Sequence, residues 1–161
     1  MQGNGAVEQG KEPTRPLVDS VYAAGAVIQV LVDADNVSAP RLRAFLRVVP
    51  LSEVTMTVAG NPRAVSAVQW PKSATVHQIE GWQAADLILV DAYRLDRDPL
   101  VLVTGDGDFS LIAARHQGPV LVVSDRPASR LRASATVVDP ALEGLTPVRA
   151  WFDAMLDSAM E

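Results

Sequence analysis

VLVTGDGDFS, residues 101–110, sets two carboxylates one glycine apart directly behind a run of aliphatic residues. Leu100 to Val103 carries no polar side chain, the pattern of a strand covered on both faces inside a parallel sheet. Gly105 and Gly107 permit a sharp turn, and Asp108 is placed to cap a helix beginning near Phe109. Asp106 and Asp108 then stand at the carboxyl edge of a strand, where open α/β sheets bind their ligands. The plain alternative is a helix cap beside a turn residue. These residues alone leave both readings open.

Outward from this stretch, strand and helix patterns alternate. A strand over 27–33 (VIQVLVD) leads to a helix from Pro40 to Val49, with Pro40 suited to its first turn and Ser38 to its cap. Leu42, Phe45, Leu46 and Val49 form its apolar stripe, at offsets of about three, four and seven. A strand over 54–59 follows, then a short helix opened by Asn61-Pro62 and a strand over 75–79 at or near an edge. The helix over 82–95, WQAADLILVDAYRL, is apolar on most faces and is expected to be deeply buried. The strand at 100–104, a helix over 109–116 and a strand over 119–124 come next. An Arg-rich helix near 128–133, a brief strand at 135–138 and a helix from 146 follow. This alternation predicts a three-layer α/β/α sandwich with a mostly parallel central sheet. Residues 1–24 are rich in Gly, Pro and charge without a clear period, which predicts a flexible tail ahead of a single domain over 25–161.

At 161 residues the chain is long enough to bury a substantial core, and 48% hydrophobic residues with mean hydropathy +0.14 exclude a wholly disordered chain. There is no cysteine, so disulfides and thiolate metal sites are ruled out. The two histidines, His77 and His116, are too few for a histidine-rich zinc centre. Aspartate is the abundant ligand type, so any metal is expected to be hard and oxygen-bound. With 14 basic and 19 acidic residues the net charge is −5, which argues against charge-driven coating of nucleic acid but leaves room for a local basic patch. Val21 to Val32 is too short for a membrane span and is interrupted by Gln29. No basic region followed by an apolar one opens the chain, so a cytoplasmic protein without membrane attachment is expected.

The strand over 27–33 also ends in carboxylates, LVDADNV supplying Asp33, Asp35 and Asn36. If it lies beside the strand at 100–104, Asp33 and Asp106 meet at one edge, with Asp86 facing them from the start of its helix. Two carboxylates about 4 Å apart repel by roughly 4 kcal/mol at an effective dielectric of 20. Removing each from water adds several kcal/mol more. Such a set makes physical sense with cations bound or protons shared, and a divalent metal is the simpler answer. One or two Mg²⁺ ions held this way suit phosphodiester hydrolysis, which needs no histidine, cysteine or serine nucleophile.

The stretches LVDADN, AADLILVDAYRL and VLVTGDGDF resemble, in order and spacing, the three motif blocks of the NYN domain. That family belongs to the PIN-like nucleases and includes LabA-like bacterial proteins, and the resemblance covers about residues 27–140. It implies a parallel-sheet fold, an acidic pocket for Mg²⁺ or Mn²⁺, and ribonuclease activity on single-stranded RNA that leaves 5′-phosphate and 3′-hydroxyl ends. It also implies that Asp33, Asp86, Asp106 and Asp108 are the metal-binding, catalytic acids, with Asn36 supporting the first. Thr104 stands where a serine usually precedes the Gly-Asp pair and keeps the hydroxyl. GWQAAD lacks the basic residue that often precedes the helical aspartate, a departure that bears on substrate binding.

Asp35 is a further candidate for an outer role at the metal. Asp91 lies five positions after Asp86, about 140° around a helix, so the two cannot both point into one pocket, and an ion pair with Arg94 is preferred to an outer role at the metal. Arg126, Arg130 and Arg132 flank a loop and short helix and are the leading candidates for phosphate contact, ahead of Arg43 and Arg47. Trp70 and Trp82 are expected to pack rather than stack on bases, and the two histidines to be structural or exposed. A homodimer is left open. Two rival functions remain: a weakly active or inactive NYN-like module that binds RNA or protein, and, less favoured, a haloacid-dehalogenase-like phosphatase with Lys72 as its lysine.

Overall fold

The protein, seen here in a computed structural model, is described over residues 28–81 and 83–161. The tail expected over residues 1–24, the three residues after it, and Trp82 lie outside that range. Along the described residues run β1 (Ile28–Asp33), α1 (Ala39–Leu46), β2 (Val54–Gly60), α2 (Pro62–Ser66), β3 (Thr75–Gln78), α3 (Ala84–Ala92) and β4 (Leu100–Val103). After a 3-10 turn at Gly107–Phe109 come α4 (Ser110–Arg115), β5 (Val120–Val123), α5 (Ser129–Ser134), β6 (Thr136–Val138), α6 (Pro140–Glu143) and α7 (Thr146–Ala159). The strands form one sheet in the order β3-β2-β1-β4-β5-β6, parallel at every pairing. The expected three-layer α/β/α sandwich is therefore present, with β3 on an edge.

Strand periodicity divides the interior into two cores. Ile28, Val30 and Val32 of β1, Met56 and Val58 of β2, and Val101 and Val103 of β4 face α1, α2 and α7. Leu42 and Phe45 of α1 meet Val148 and Phe152 of α7 there, with the Phe45 and Phe152 rings 6.3 Å apart. Each such buried side chain contributes roughly 1.5–3 kcal/mol of transfer free energy. The intervening residues Leu31, Ala59, Leu100, Leu102 and Val122 face the other way, against Ala85 and Leu89 of α3, Phe109, Ala113 of α4 and Leu131 of α5.

Strand order reverses between β1 and β4, so the crevice beyond their carboxyl ends is the place where such sheets bind ligands. The sequence pattern places both TGDG and DADN there.

Several local expectations are corrected. The helix expected over 82–95 covers only Ala84–Ala92, and its outer face is not buried: Leu87 is 72% exposed and Val90 50%. Its hydrophobic composition exceeds what one contact face on the sheet can cover. Arg94 pairs with Asp96 at 3.7 Å and not with Asp91, because the helix ends before Arg94 and the i+3 geometry is lost. Ser38 occupies the cap position of α1 without a side-chain cap bond. The cap of the turn after β4 is Asp106, not Asp108. Trp70 packs against the core and donates its indole N–H to the Val65 carbonyl at 2.9 Å.

Candidate metal centre

The alternation that buries Leu31 on the α3 side puts Asp33, two residues on, on the same side at the end of β1. Its side chain is all but closed off, at 1% exposure. Thr104 follows Leu102 in the same way just past the end of β4, and its hydroxyl links the two strand ends. It donates to Asp33 Oδ2 at 3.0 Å and accepts the Asp106 backbone N–H at 3.1 Å. Asn36 donates its amide to Asp33 Oδ2, and the Asp35 backbone N–H donates to Oδ1 at 3.2 Å. Three donors thus fix one carboxylate.

The TGDG turn is held by close packing. A Cβ on Gly105 would stand 2.9 Å from the Arg126 carbonyl oxygen and 3.0 Å from Ser124 Oγ, so no side chain fits there. The Ala128 N–H donates to the Gly105 carbonyl at 3.2 Å, tying the start of α5 to the turn. Asp106 Oδ1 accepts the Asp108 backbone N–H at 3.0 Å and so caps the 3-10 turn. From the opposite side, the first turn of α3 brings Asp86 over the same crevice. α3 is preceded at its cap position by Gln83, whose φ of 61° and ψ of 7° lie in the left-handed region that costs a side-chain-bearing residue free energy.

One carboxylate oxygen from each of Asp33, Asp86 and Asp106 lies within 4.8 Å of the other two. Burial pushes the Asp33 carboxyl above its ordinary value despite the three donors. Asp86 is pushed up to about 6, first by burial, then by the charges of Asp33, Asp106 and Asp108, and by a shared hydrogen bond with Asp106. Asp33 and Asp86, both held above the ordinary carboxylate range, converge with Asp106 on a site that a cation would relieve. The donor set, all carboxylate oxygen, suits a hard divalent ion and not a soft one.

The cleft above them, about 350 Å³, is lined by Asp35, Asn36, Gln83, Ala85, Asp86, Asp106 and Asp108. Asp108 is outside the close group: its carboxylate is 58% exposed and stands 3.9 Å from Arg130 Nη2. Asp35 turns toward the end of β2, where its Oδ1 accepts the Asn61 backbone N–H at 2.8 Å and the Asn61 amide at 2.7 Å. Of the arginines, Arg130 reaches the TGDG turn, Arg126 meets it through its backbone carbonyl, and Arg132 is exposed on α5. Arg43 donates to the Ala67 carbonyl at 2.9 Å, and Arg47 lines a separate cleft with Arg149. His116 is buried between the Tyr93 hydroxyl, 2.8 Å away, and the Asp98 carbonyl, a structural setting. Lys72 is exposed in the connection entering β3, at the end of the sheet opposite the acids, so it cannot serve a phosphatase site there.

Gln83 and Ser124 escaped the sequence reading. A left-handed glutamine carries no sequence signal beyond the preceding Gly81, and Ser124 reads as an ordinary strand terminus.

No protein-family model matches the chain, and no curated protein matches it. What it shares with the PIN-like, NYN-type architecture is the parallel α/β/α sandwich and the acidic Asp33, Asp86, Asp106 cluster at its crevice.

Proposed function

We propose that the protein is a Mg²⁺- or Mn²⁺-dependent nuclease that hydrolyses phosphodiester bonds of single-stranded RNA. The observation that carries this reading is the convergence of Asp33, Asp86 and Asp106 within 4.8 Å at the crevice where the strand order reverses. Those three would hold the ion, with Asp108 at the rim of the same cleft. The chemistry such an ion supplies is activation of water and neutralisation of charge on the reacting phosphate. Water oxygen bonds to phosphorus, the bond to the 3′ oxygen breaks and that oxygen takes a proton, leaving the 5′-phosphate and 3′-hydroxyl ends that the NYN resemblance implies.

The chain's own residues prepare this step. Thr104 and Asn36 hold the Asp33 carboxylate in one orientation, so little reorganisation is left for the moment of loading. Asp35 ties the DADN turn to the β2–α2 connection and keeps that wall of the cleft in place. Of Arg126, Arg130 and Arg132, it is Arg130 that offers positive charge beside it.

A binding module with little or no turnover is the second reading. It is favoured by the apolar groove that His77, Ile79, Leu87 and Ile88 line between β3 and α3, a surface a nuclease does not need. Cleavage of a labelled single-stranded RNA with and without Mn²⁺, by wild type and by Asp106→Asn, decides between them. Mn²⁺-dependent cleavage lost in the variant supports the nuclease. A wild type without cleavage supports the module.

A further inference from the structure

We propose that Asp108 and Arg130 act as a unit apart from the three metal-holding acids: Asp108 positions Arg130, and Arg130 grips a backbone phosphate of the bound strand. The inference rests on the nuclease reading above and divides its acidic residues by task.

The two ends of Asp108 point to different partners. Its backbone N–H holds Asp106 Oδ1 at 3.0 Å, while its carboxylate faces Arg130. Arg130 in turn lies against the backbone of Gly107, where an added Cβ would stand 2.7 Å from Nη2 and 3.1 Å from Nε. A glycine at 107 is thus what allows the guanidinium to approach the acid-bearing turn. The base of Arg130 is equally fixed: its neighbour Leu131 is fully buried, and Ala128 is bonded to Gly105. Among the described residues Asp108 is the sole ion-pair partner of Arg130, and the side chain is 68% exposed. An exposed pair at this separation orients the guanidinium without occupying its donors, so the planar fork can still take two oxygens of a phosphodiester. Arg130 is therefore anchored yet free to take a ligand.

The same helix separates it from Arg132. Residues two apart on a helix point about 200° from one another, so when Arg130 faces the cleft Arg132 faces away. A strand lying across the acids would have one of its phosphates beside Arg130, whose guanidinium lies against the turn.

Two measurements on the full chain test this. The first is the rise in melting temperature on adding Mn²⁺. Asp108→Asn is expected to keep the wild-type rise, and Asp106→Asn to lose it. The second is binding of a fluorescein-labelled oligouridylate with Ca²⁺ as counter-ion. Arg130→Ala should weaken binding about tenfold, the scale of one charged hydrogen-bonded contact, and lower the salt slope by about 0.7. Arg130→Lys should recover only part of this, having charge without the fork, and Arg149→Ala should change nothing. Neutralising Asp108 in the Arg130→Ala background should tighten binding, since only repulsion is removed, whereas with Arg130 present it should give no gain. Loss of the Mn²⁺ response in Asp108→Asn, or identical binding by Arg130→Ala and wild type, overturns the inference. Additive effects of the two changes overturn the positioning role of Asp108. A wild type unresponsive to Mn²⁺ sinks the metal reading and the division of acids with it, while the oligonucleotide measurement still decides Arg130.

Discussion

β1 buries a polar side chain near each end of one face, and the two are treated differently. Gln29, near the amino end, is 3% exposed, and its amide closes a pair of bonds with the backbone of Arg94: Nε2 donates to the carbonyl at 2.9 Å and Oε1 accepts the N–H at 2.8 Å. Those groups lie just past the end of α3, where a helix leaves backbone without partners. A neutral donor and acceptor meet a neutral acceptor and donor, and nothing is left over. Asp33, four residues on, receives three donors and is still held above its ordinary pKa by its burial. Its near neighbours across the crevice, Asp86 and Asp106, are acids too. A buried polar group satisfied by backbone is architecture. A buried charge left unfavourable amid like charges marks the place where the protein is waiting for something.

The largest expected effect comes from breaking the carboxyl end. Asp106→Asn is the cleanest choice, because Asp33 accepts three donors that an amide would partly lose. Cleavage should fall by about 100-fold or more, beyond the scale at which even indirect contacts to a bound metal act. Without metal the variant should melt at the wild-type temperature or above it, since carboxylate repulsion is relieved. Cleavage at the wild-type rate under the same metal would show that the acids do not carry the chemistry.

The mirror experiment strikes the amino end. Gln29→Ala strands the Arg94 N–H and carbonyl and should reduce stability by about 1–3 kcal/mol in urea unfolding. The Mn²⁺-induced rise in melting temperature should survive. A variant that keeps its stability but loses the metal response would erase the distinction between the two ends.

Much of this contrast was legible in the chain. The apolar runs at 28–33 and 100–103 lead into DADN and TGDG, and alternation with helices yields a parallel sheet, so the acids had to converge if β1 and β4 were neighbours. They are. The cap of the turn was misassigned because Asp106 and Asp108 are equally good cap residues, and only the backbone path decides which one bends back. The exposed Leu87 and Val90 were illegible for another reason. Composition shows how apolar a helix is, not how much partner surface is available to cover it. The approach of Arg130 to Gly107 joins α5 to the 3-10 turn across an intervening helix and strand, and no local pattern encodes it.

A smaller effect follows from Asp86. Its carboxyl sits at about 6 in the folded chain against an ordinary 3.8. Between those values the native state keeps a proton that the unfolded chain has released. Stability without metal should therefore decline as pH rises from about 4 to about 6, then level off. Asp86→Asn should lack that decline, so the difference between the two proteins isolates it. Mn²⁺ affinity should run the opposite way, weakening as pH drops below about 6, because a protonated Asp86 gives up its share of the site. Urea unfolding and Mn²⁺ titration across this range measure both. A wild type that gains stability relative to Asp86→Asn as pH rises would mean that Asp86 does not face the other acids as placed.

The smallest expected effect concerns what precedes β1. The strand is secured from its first described residues, the Ile28 N–H donating to the Glu53 carbonyl at 3.2 Å and the Gln29 N–H to the Pro99 carbonyl at 2.9 Å. With Gln29 tied to Arg94 as well, the amino end of β1 is bonded to segments that follow it in the chain. Residues 1–22 carry Gly, Pro and charge but no apolar period with which to add a packed element. We therefore predict that deleting them leaves both the melting temperature and the Mn²⁺ response nearly unchanged. A fall of many degrees would place a structural partner in that segment and move the start of the domain upstream. Loss of the metal response at unchanged stability would instead assign the segment to the carboxyl edge, and the two ends of β1 would no longer divide structure from chemistry.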